Sequence, residues 1–262
     1  MRNRHGDFIW YELMTSDPKT AGAFYRAVIG WSLDKFADPA SGYQVFSAND
    51  TPVAGLMRTP PEAAGNGAHP SWFGYIGVDD VDATAQRMAE AGGIMHMEPR
   101  SIPDVGRFAM LSDPQGAALY IMRGEPDQAS AAFDARASGH CQWNELATSD
   151  PDAALSFYEK HFGWQKAQTM PMGDLGDYQM FQQNGVDIGA VMKAQSGMPS
   201  AWLFYFGVED IDAATTAIAA NGGQIHHGPA DVPGGSRIIV ATDPQGAMFG
   251  LVGPSQDSEA RP

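Results

Sequence analysis

The chain has a single cysteine, Cys141, among 262 residues. One thiol excludes any intrachain disulfide and any thiolate zinc site built from this chain alone. Basic residues are scarce: 16 Lys and Arg stand against 31 Asp and Glu, a formal net charge of −15. That field repels phosphate backbones and anionic surfaces, so neither nucleic acid nor a membrane is expected as a partner. No apolar run approaches the ~18 residues of a membrane span. The opening Met1-Arg2-Asn3-Arg4-His5-Gly6-Asp7 is basic, but no apolar stretch follows it. No signal peptide is therefore expected, and the cytoplasm is the default location. A Gly-rich phosphate loop and a serine-hydrolase elbow are also missing.

What is present is a repetition. Trp10-Tyr11-Glu12-Leu13-Met14-Thr15-Ser16-Asp17-Pro18 returns 133 residues later as Trp143-Asn144-Glu145-Leu146-Ala147-Thr148-Ser149-Asp150-Pro151. The offset persists through Phe24-Tyr25 and Phe157-Tyr158, and through Gly30-Trp31 and Gly163-Trp164. It drifts to 130 by Asp113-Pro114-Gln115-Gly116 and Asp243-Pro244-Gln245-Gly246. A repeat this long is a duplicated domain, since solenoid units run about 20–50 residues. We divide the chain into a first domain at 1–123, a linker at 124–138, a second domain at 139–253 and a disordered tail at 254–262. The linker is polar and Ala/Ser/Asp-rich, and the tail lacks apolar residues.

Each copy reads alike. A β-rich run at 8–14 leads to Asp17-Pro18, a helix start in which Asp or Ser16 caps and Pro suits the first turn. Ala21, Phe24, Tyr25 and Val28 form a stripe at helical spacing, and Gly30 ends the helix. Strands are expected at 31–36, 43–47 and 53–57, then a Pro/Gly/Ala loop at 60–70. A second strand–helix unit covers 72–78 and 80–91 and ends at Gly92-Gly93. Strands at 94–97, 107–112 and 117–122 complete the copy, giving βαβββ twice. The corresponding strand–helix units of the second copy start near 142 and 202.

These modules, with Val78-Asp79-Asp80-Val81-Asp82-Ala83 and Val208-Glu209-Asp210-Ile211-Asp212-Ala213 at the second helix starts, resemble the vicinal oxygen chelate superfamily. That group includes glyoxalase I, bleomycin-resistance proteins and extradiol dioxygenases. The resemblance implies an α+β fold: tandem glyoxalase-like domains, each two βαβββ modules forming a cup-shaped mixed sheet with helices outside. It also implies a divalent metal held by the first, fifth and eighth strands. The matching positions are Trp10 and Trp143, then Trp72/Phe73 and Trp202/Leu203, then Tyr120 and Gly250. None is His, Glu or Gln, so the usual ligand triad is missing from both copies. No cofactor is expected, and a divalent metal on re-sited ligands is the alternative.

Alternation along a strand places Glu12 and Met14 on the face of Trp10, and Cys141, Glu145 and Ala147 on the face of Trp143. Each cup thus holds a Trp-x-Glu pair. Glu12 and Glu145 are candidate bases or ligand anchors; otherwise they are solvated at the rim or paired with the recurring Arg107 and Arg237. Tyr43 and Tyr178 recur beside Gln44 and Gln179, and Tyr75 and Tyr205 recur too. With Trp10, Trp72, Tyr120, Trp143 and Trp202 they are candidate aromatic walls for a ligand, core packing being the plainer reading. His96 and His226, with His227 beside the latter, follow each Gly-Gly. They are a weak metal alternative against strand histidines facing solvent. Cys141 stands where the first copy has Phe8, and adjacent His140 points to the opposite face, so a nucleophile role lacks its base.

Three readings compete. The first is a glyoxalase/bleomycin-resistance-like protein that binds a small molecule in aromatic-walled cups. The second is a glyoxalase-type lyase or isomerase using Glu12 or Glu145 with a non-standard metal site; a dioxygenase is weaker, lacking the facial triad of iron. The third is a structural or interaction protein whose cups are filled by side chains. The duplication allows a monomer acting as a pseudo-dimer, or a homodimer.

Overall fold

In the computed structural model, residues 2–35, 42–125 and 128–255 are described. The first copy contains β1 (Phe8–Thr15), α1 (Pro18–Ile29), β2 (Ser32–Lys35), β3 (Gln44–Ala48), β4 (Thr51–Arg58), α2 (Pro61–Gly65), β5 (Ser71–Gly77), α3 (Val81–Glu90), β6 (Ile94–Ile102), β7 (Gly106–Ser112) and β8 (Ala118–Gly124). The second contains β9 (Cys141–Thr148), α4 (Pro151–Phe162), β10 (Gln165–Pro171), β11 (Asp177–Gln183), β12 (Val186–Lys193), β13 (Ala201–Gly207), α5 (Ile211–Ala220), β14 (Gln224–Asp231), β15 (Arg237–Thr242) and β16 (Met248–Gly253). Each copy forms one eight-stranded mixed sheet. The orders are β2-β3-β4-β1-β5-β8-β7-β6 and β10-β11-β12-β9-β13-β16-β15-β14. The chain is thus the duplicated α+β fold that its sequence implies.

The recurring aspartates and glycines are helix boundaries. Asp17 accepts from the backbone N–H groups of Lys19 and Thr20, and Asp150 from that of Ala153. Asp80 accepts from Ala83 N–H, and Asp210 from Asp212 and Ala213. Each satisfies donors that the first helical turn leaves open. Gly30 and Gly163 end α1 and α4 in the left-handed conformation, at φ 87° and 76°.

Three places depart from the sequence reading. The loop expected at 60–70 contains α2, because Pro61 suits a first helical turn and Ala63 and Ala64 favour helix. Strand β6 runs on to Ile102 through Pro99, a residue tolerated there because β6 is a sheet edge. Within the expected linker, Ala132 is fully buried and Phe133 bridges Cys141. Phe36 and residues 256–262 of the expected tail lie outside the described residues. Among the described residues no helix is long and apolar enough to cross a membrane.

Compactness does not follow the two copies. One unit comprises residues 1–10, 73–130 and 143–203, and the other residues 11–72, 131–142 and 204–262. Each takes one module from each copy. In the first unit Phe8, Tyr158, Trp164, Phe181 and Trp202 form an aromatic core, with Trp164 stacked on Phe181 at 4.6 Å. In the second, Tyr25, Trp31, Phe46, Trp72 and Phe206 do the same.

Candidate functional site

From Trp143 onward, the face of β9–β12 turned away from α4 lies within the first unit. Parallel pairing sets Glu145 beside Ala190 and Ala147 beside Met192. Antiparallel pairing sets Ala190 beside Met180, and Met170 beside Tyr178. Paired residues point the same way, so Trp143, Glu145, Ala147, Met170, Tyr178, Met180, Ala190 and Met192 share this face. The opposite face holds Asn144 and Phe181, and a Cβ at Gly189 would fall 2.0 Å from the Asn144 carbonyl oxygen and 2.6 Å from the Phe181 ring. Glycine there leaves room for that ring close to the sheet on the α4 side.

On the first face a hydrogen-bond chain runs through three candidate residues. Trp143 Nε1 donates to Tyr178 Oη at 2.8 Å, and Tyr178 Oη donates to Glu145 Oε2 at 2.8 Å. All three side chains are half-buried. Burial pushes the Tyr178 phenol far above its ordinary range, and the Glu145 charge adds to the shift. The phenol therefore keeps its proton and acts as a fixed donor to the carboxylate. Sequence reasoning names all three residues as candidates but not their connection, which depends on strand register.

Several recurring residues hold the fold instead. Trp72 Nε1 donates to Tyr25 Oη at 2.8 Å, and Tyr25 Oη to Asp243 Oδ2 at 3.3 Å. Tyr158 Oη donates to Asp113 Oδ2 at 2.9 Å. The Phe-Tyr motif of each copy thus meets the Asp-Pro-Gln-Gly turn of the other. The remaining oxygen of each aspartate accepts from two turn amides, at Gln115 and Ala117 or at Gln245 and Ala247. Burial raises both carboxyls despite these bonds. Similarly, Trp31 Nε1 donates to the Gly139 carbonyl at 2.7 Å and Trp164 Nε1 to that of Gly6 at 2.8 Å.

Trp72 and Trp202, both named as candidate ligand walls, pack in the aromatic cores. Trp72 is three residues from Tyr75 and faces the other way, into the core with Tyr25. Trp202 packs edge-on against Tyr158 in the first unit. The recurring arginines do not pair with the glutamates either. Arg107 forms a two-pronged bond to Asp82, both contacts 2.6 Å, and Arg237 pairs with Asp212 at 3.1 Å.

The first copy is more enclosed. Glu12 is only 4% exposed, while its counterpart Glu145 is half-buried. Trp10 and Tyr43 are half-buried. Tyr75 stacks on Tyr120, centroids 4.4 Å apart and planes within 6°, and both rings are buried. In the second copy Gly250 stands where the first has Tyr120. A Cβ on Gly250 would fall 2.4 Å from the Tyr205 ring, so that ring lies against bare backbone. His96 and His226 are exposed, and each has Nε2 about a hydrogen bond from a hydroxyl of the next strand, Ser112 at 3.1 Å and Thr242 at 3.0 Å. His227 is also exposed. Cys141 is buried and forms no disulfide.

The family described as Glyoxalase/Bleomycin resistance protein/Dioxygenase superfamily matches residues 8–121 and again 138–251. The chain belongs to that superfamily. A putative glyoxylase, CFP32, of Mycobacterium tuberculosis is 35% identical over 96% of this chain and 96% of its own length. The anthracycline biosynthesis protein DnrV of Streptomyces peucetius is 31% identical, covering 93% of this chain and 91% of its own. Among solved structures, the Mn(II)-bound glyoxalase of Novosphingobium aromaticivorans superposes with a TM-score of 0.67 at 16% identity, covering 97% of this chain and 85% of that one. The 2,3-dioxygenase LapB of Pseudomonas sp. KL28 gives 0.64 at 13% identity, over 95% and 94%. Likeness at this identity establishes the shared fold.

The Mn(II)-bound neighbour makes a divalent ion the natural question for this superfamily member. The places on β1, β5 and β8, and on β9, β13 and β16, hold Trp10, Trp72, Phe73, Tyr120, Trp143, Trp202, Leu203 and Gly250. Indole, alkyl and hydrogen side chains donate nothing to a metal, and a protonated phenol is a poor ligand. Among the described residues no three His, Cys, Asp or Glu gather as a metal-holding group. The donor set does not fit the usual ion.

Proposed function

We propose that this protein binds a small, partly aromatic molecule on the β9–β12 face, with Trp143 and Tyr178 as ring contacts and Glu145 as polar anchor. The carrying observation is the chain Trp143 Nε1 to Tyr178 Oη to Glu145 Oε2, each link 2.8 Å, on half-buried side chains. Orientation by two hydrogen bonds holds the carboxylate ready before a ligand arrives, which reduces the ordering cost of binding. Met170, Met180 and Met192 supply a polarisable apolar surface that adapts to ring edges. The likeness to a protein named for anthracycline biosynthesis supports an aromatic ligand. In the first copy the buried Glu12 and the Tyr75–Tyr120 stack support a filled, structural role.

Calorimetric titration with aromatic ligands tests this. Tyr178→Phe removes the donor to Glu145 and keeps the ring, so affinity should fall roughly tenfold, the equivalent of about 1.4 kcal/mol. Equal affinities in wild type and Tyr178→Phe would refute the anchoring role.

A second reading is lyase or isomerase chemistry with Glu145 as proton-shuttling base. It is favoured by a half-buried carboxylate held by a phenol and by the likeness to the mycobacterial protein named as a glyoxylase. Turnover lost in Glu145→Gln while binding persists would establish it; binding without turnover in wild type would leave the first reading alone.

A further inference from the structure

The second unit contains a cavity of about 370 Å³ at the C-terminal end of α1 and the N-terminal end of α5. The β3–β4 turn and the segment Ser138-Gly139 line it as well. The volume falls in the range of small-molecule sites, about 300–1,000 Å³. Its apolar wall includes Val28, Trp31, Ala48 and Ala214.

The duplication supplies a filled counterpart in the first unit, at the end of α4 and the start of α3. Matching the repeats sets His161 against Val28, Phe162 against Ile29, Gln183 against Ala48, His5 against Ser138 and Asp79 against Glu209. There side chains occupy the notch. His5 Nε2 donates to the His161 carbonyl at 2.8 Å, and the Asp79 N–H donates to His5 Nδ1 at 3.3 Å. Gln183 Nε2 donates to the His5 carbonyl at 2.7 Å and to the Phe162 carbonyl at 3.4 Å. An imidazole and a carboxamide thus serve carbonyls that the last turn of a helix leaves open. The backbone differs as well. A Cβ at Gly6 would fall 2.3 Å from the Phe162 carbonyl oxygen, whereas at Gly139 the nearest atoms, from 2.6 to 3.7 Å, belong to Ala48 and Trp31. The Ile29 carbonyl, counterpart of that of Phe162, is therefore farther off.

We propose that the cavity of the second unit binds a flat nitrogen heterocycle that donates one ring N–H and accepts at a second ring nitrogen. The ligand takes the place that His5 fills in the first unit. Its N–H meets the Val28 carbonyl as His5 meets that of His161, and its second nitrogen meets the Glu209 N–H as His5 Nδ1 meets that of Asp79. The chain's own side chains do not supply these bonds in the second unit: alanine at 48 has no donor, and serine at 138 lacks the reach of an imidazole. The rest of the ring system packs on Val28 and Ala214. Glu209 and Asp210 also line the cavity, and their carboxylates disfavour an acidic ligand. The site is in a different unit from Trp143, Glu145 and Tyr178 and does not depend on the reading of the β9–β12 face.

The test uses two probes of one shape on the full chain: benzimidazole, and benzothiazole, in which sulfur replaces the N–H and the acceptor nitrogen stays. Work at pH about 8, above the ordinary imidazole range near 6.5, keeps the rings uncharged. Affinity is read by titration calorimetry and location by nitrogen-15 amide shifts. The expected result is a Kd for benzimidazole at least tenfold below that for benzothiazole, with shifts at Gly30 and Glu209. Ser138→His combined with Ala48→Gln installs the side chains of the first unit and should abolish those shifts. Equal affinity for the two rings, or no saturable binding of benzimidazole, would overturn the proposal. So would unchanged binding in the double variant. Shifts confined to Glu145 and Tyr178 would place the probe on the β9–β12 face, overturning this site while leaving that reading intact. The comparison of probes in the wild type decides the matter even if the double variant does not fold.

Discussion

His161 occupies in α4 the place that Val28 occupies in α1, 133 residues earlier. Both are buried, but the imidazole is the costlier tenant. It is 3% exposed, it packs against Phe157 with ring centroids 4.5 Å apart, and neither ring nitrogen has a hydrogen-bond partner among the described residues. Burial lowers its pKa from 6.5 to about 4, with Lys160 and then Arg87 adding repulsion. A depressed histidine pKa means that the unfolded chain takes up the proton first. Stability is therefore unaffected above about pH 6.5 and falls as the pH drops from there towards 4. Replacement by the residue of the other copy, His161→Val, should raise stability by about 1–2 kcal/mol at neutral pH, since an unsatisfied buried group is removed. The gain should grow on acidification. Urea unfolding of wild type and variant between pH 4 and 8 checks both statements; parallel curves over that range would show that the ring does not titrate on unfolding.

At the scale of elements, much was legible. Asp-Pro starts, Gly stops and apolar stripes mark α1 and α4 because capping and helical periodicity are local physics. The Trp-x-Glu alternation also places Trp143 and Glu145 on one face. What local pattern does not carry is register: that Tyr178 reaches Glu145, that Trp72 turns into the core, and that Arg107 and Arg237 serve Asp82 and Asp212. The Phe-Tyr and Asp-Pro-Gln-Gly motifs recur at matched offsets, and that matched recurrence was the available signal for their pairing. Removing one partner leaves a buried group unsatisfied, so Tyr158→Phe and Asp113→Asn should each destabilise by about 1–3 kcal/mol. A double-mutant cycle should show a coupling of at least ~0.5 kcal/mol. Additive losses would mean that the 2.9 Å contact contributes nothing of its own. Gly189→Ala should be costlier than a typical overpacking change of about 1–3 kcal/mol, since backbone oxygen rather than a flexible side chain blocks the Cβ. Guanidinium unfolding of the variant measures this.

For the whole molecule, duplication is written in the sequence, but the partnership of modules is not, because similarity between two segments does not say which of them touch. The first copy's residues 73–130 share a compact unit with residues 143–203 of the second, and residues 11–72 share the other with residues 204–262. A chain cut between residues 130 and 131 therefore leaves neither half with a complete unit. In the fragment 1–130, Asp113 loses Tyr158, Tyr25 loses Asp243, and Trp31 loses the Gly139 carbonyl. Each loss also strips aromatic contacts, such as Tyr25 on Phe249 at 5.3 Å. Such a fragment exposes apolar surface that the intact chain buries, and it lacks the burial that a domain of ~130 residues needs. Fragments 1–130 and 131–262, expressed separately, should show strand signal in far-ultraviolet circular dichroism but little near-ultraviolet signal from fixed aromatics. Mixing them should restore the near-ultraviolet spectrum in a concentration-dependent way, because the missing modules return by association. A monomeric 1–130 fragment with native-like near-ultraviolet intensity and cooperative melting would show instead that the copy, not the mixed pair of modules, is the unit that folds.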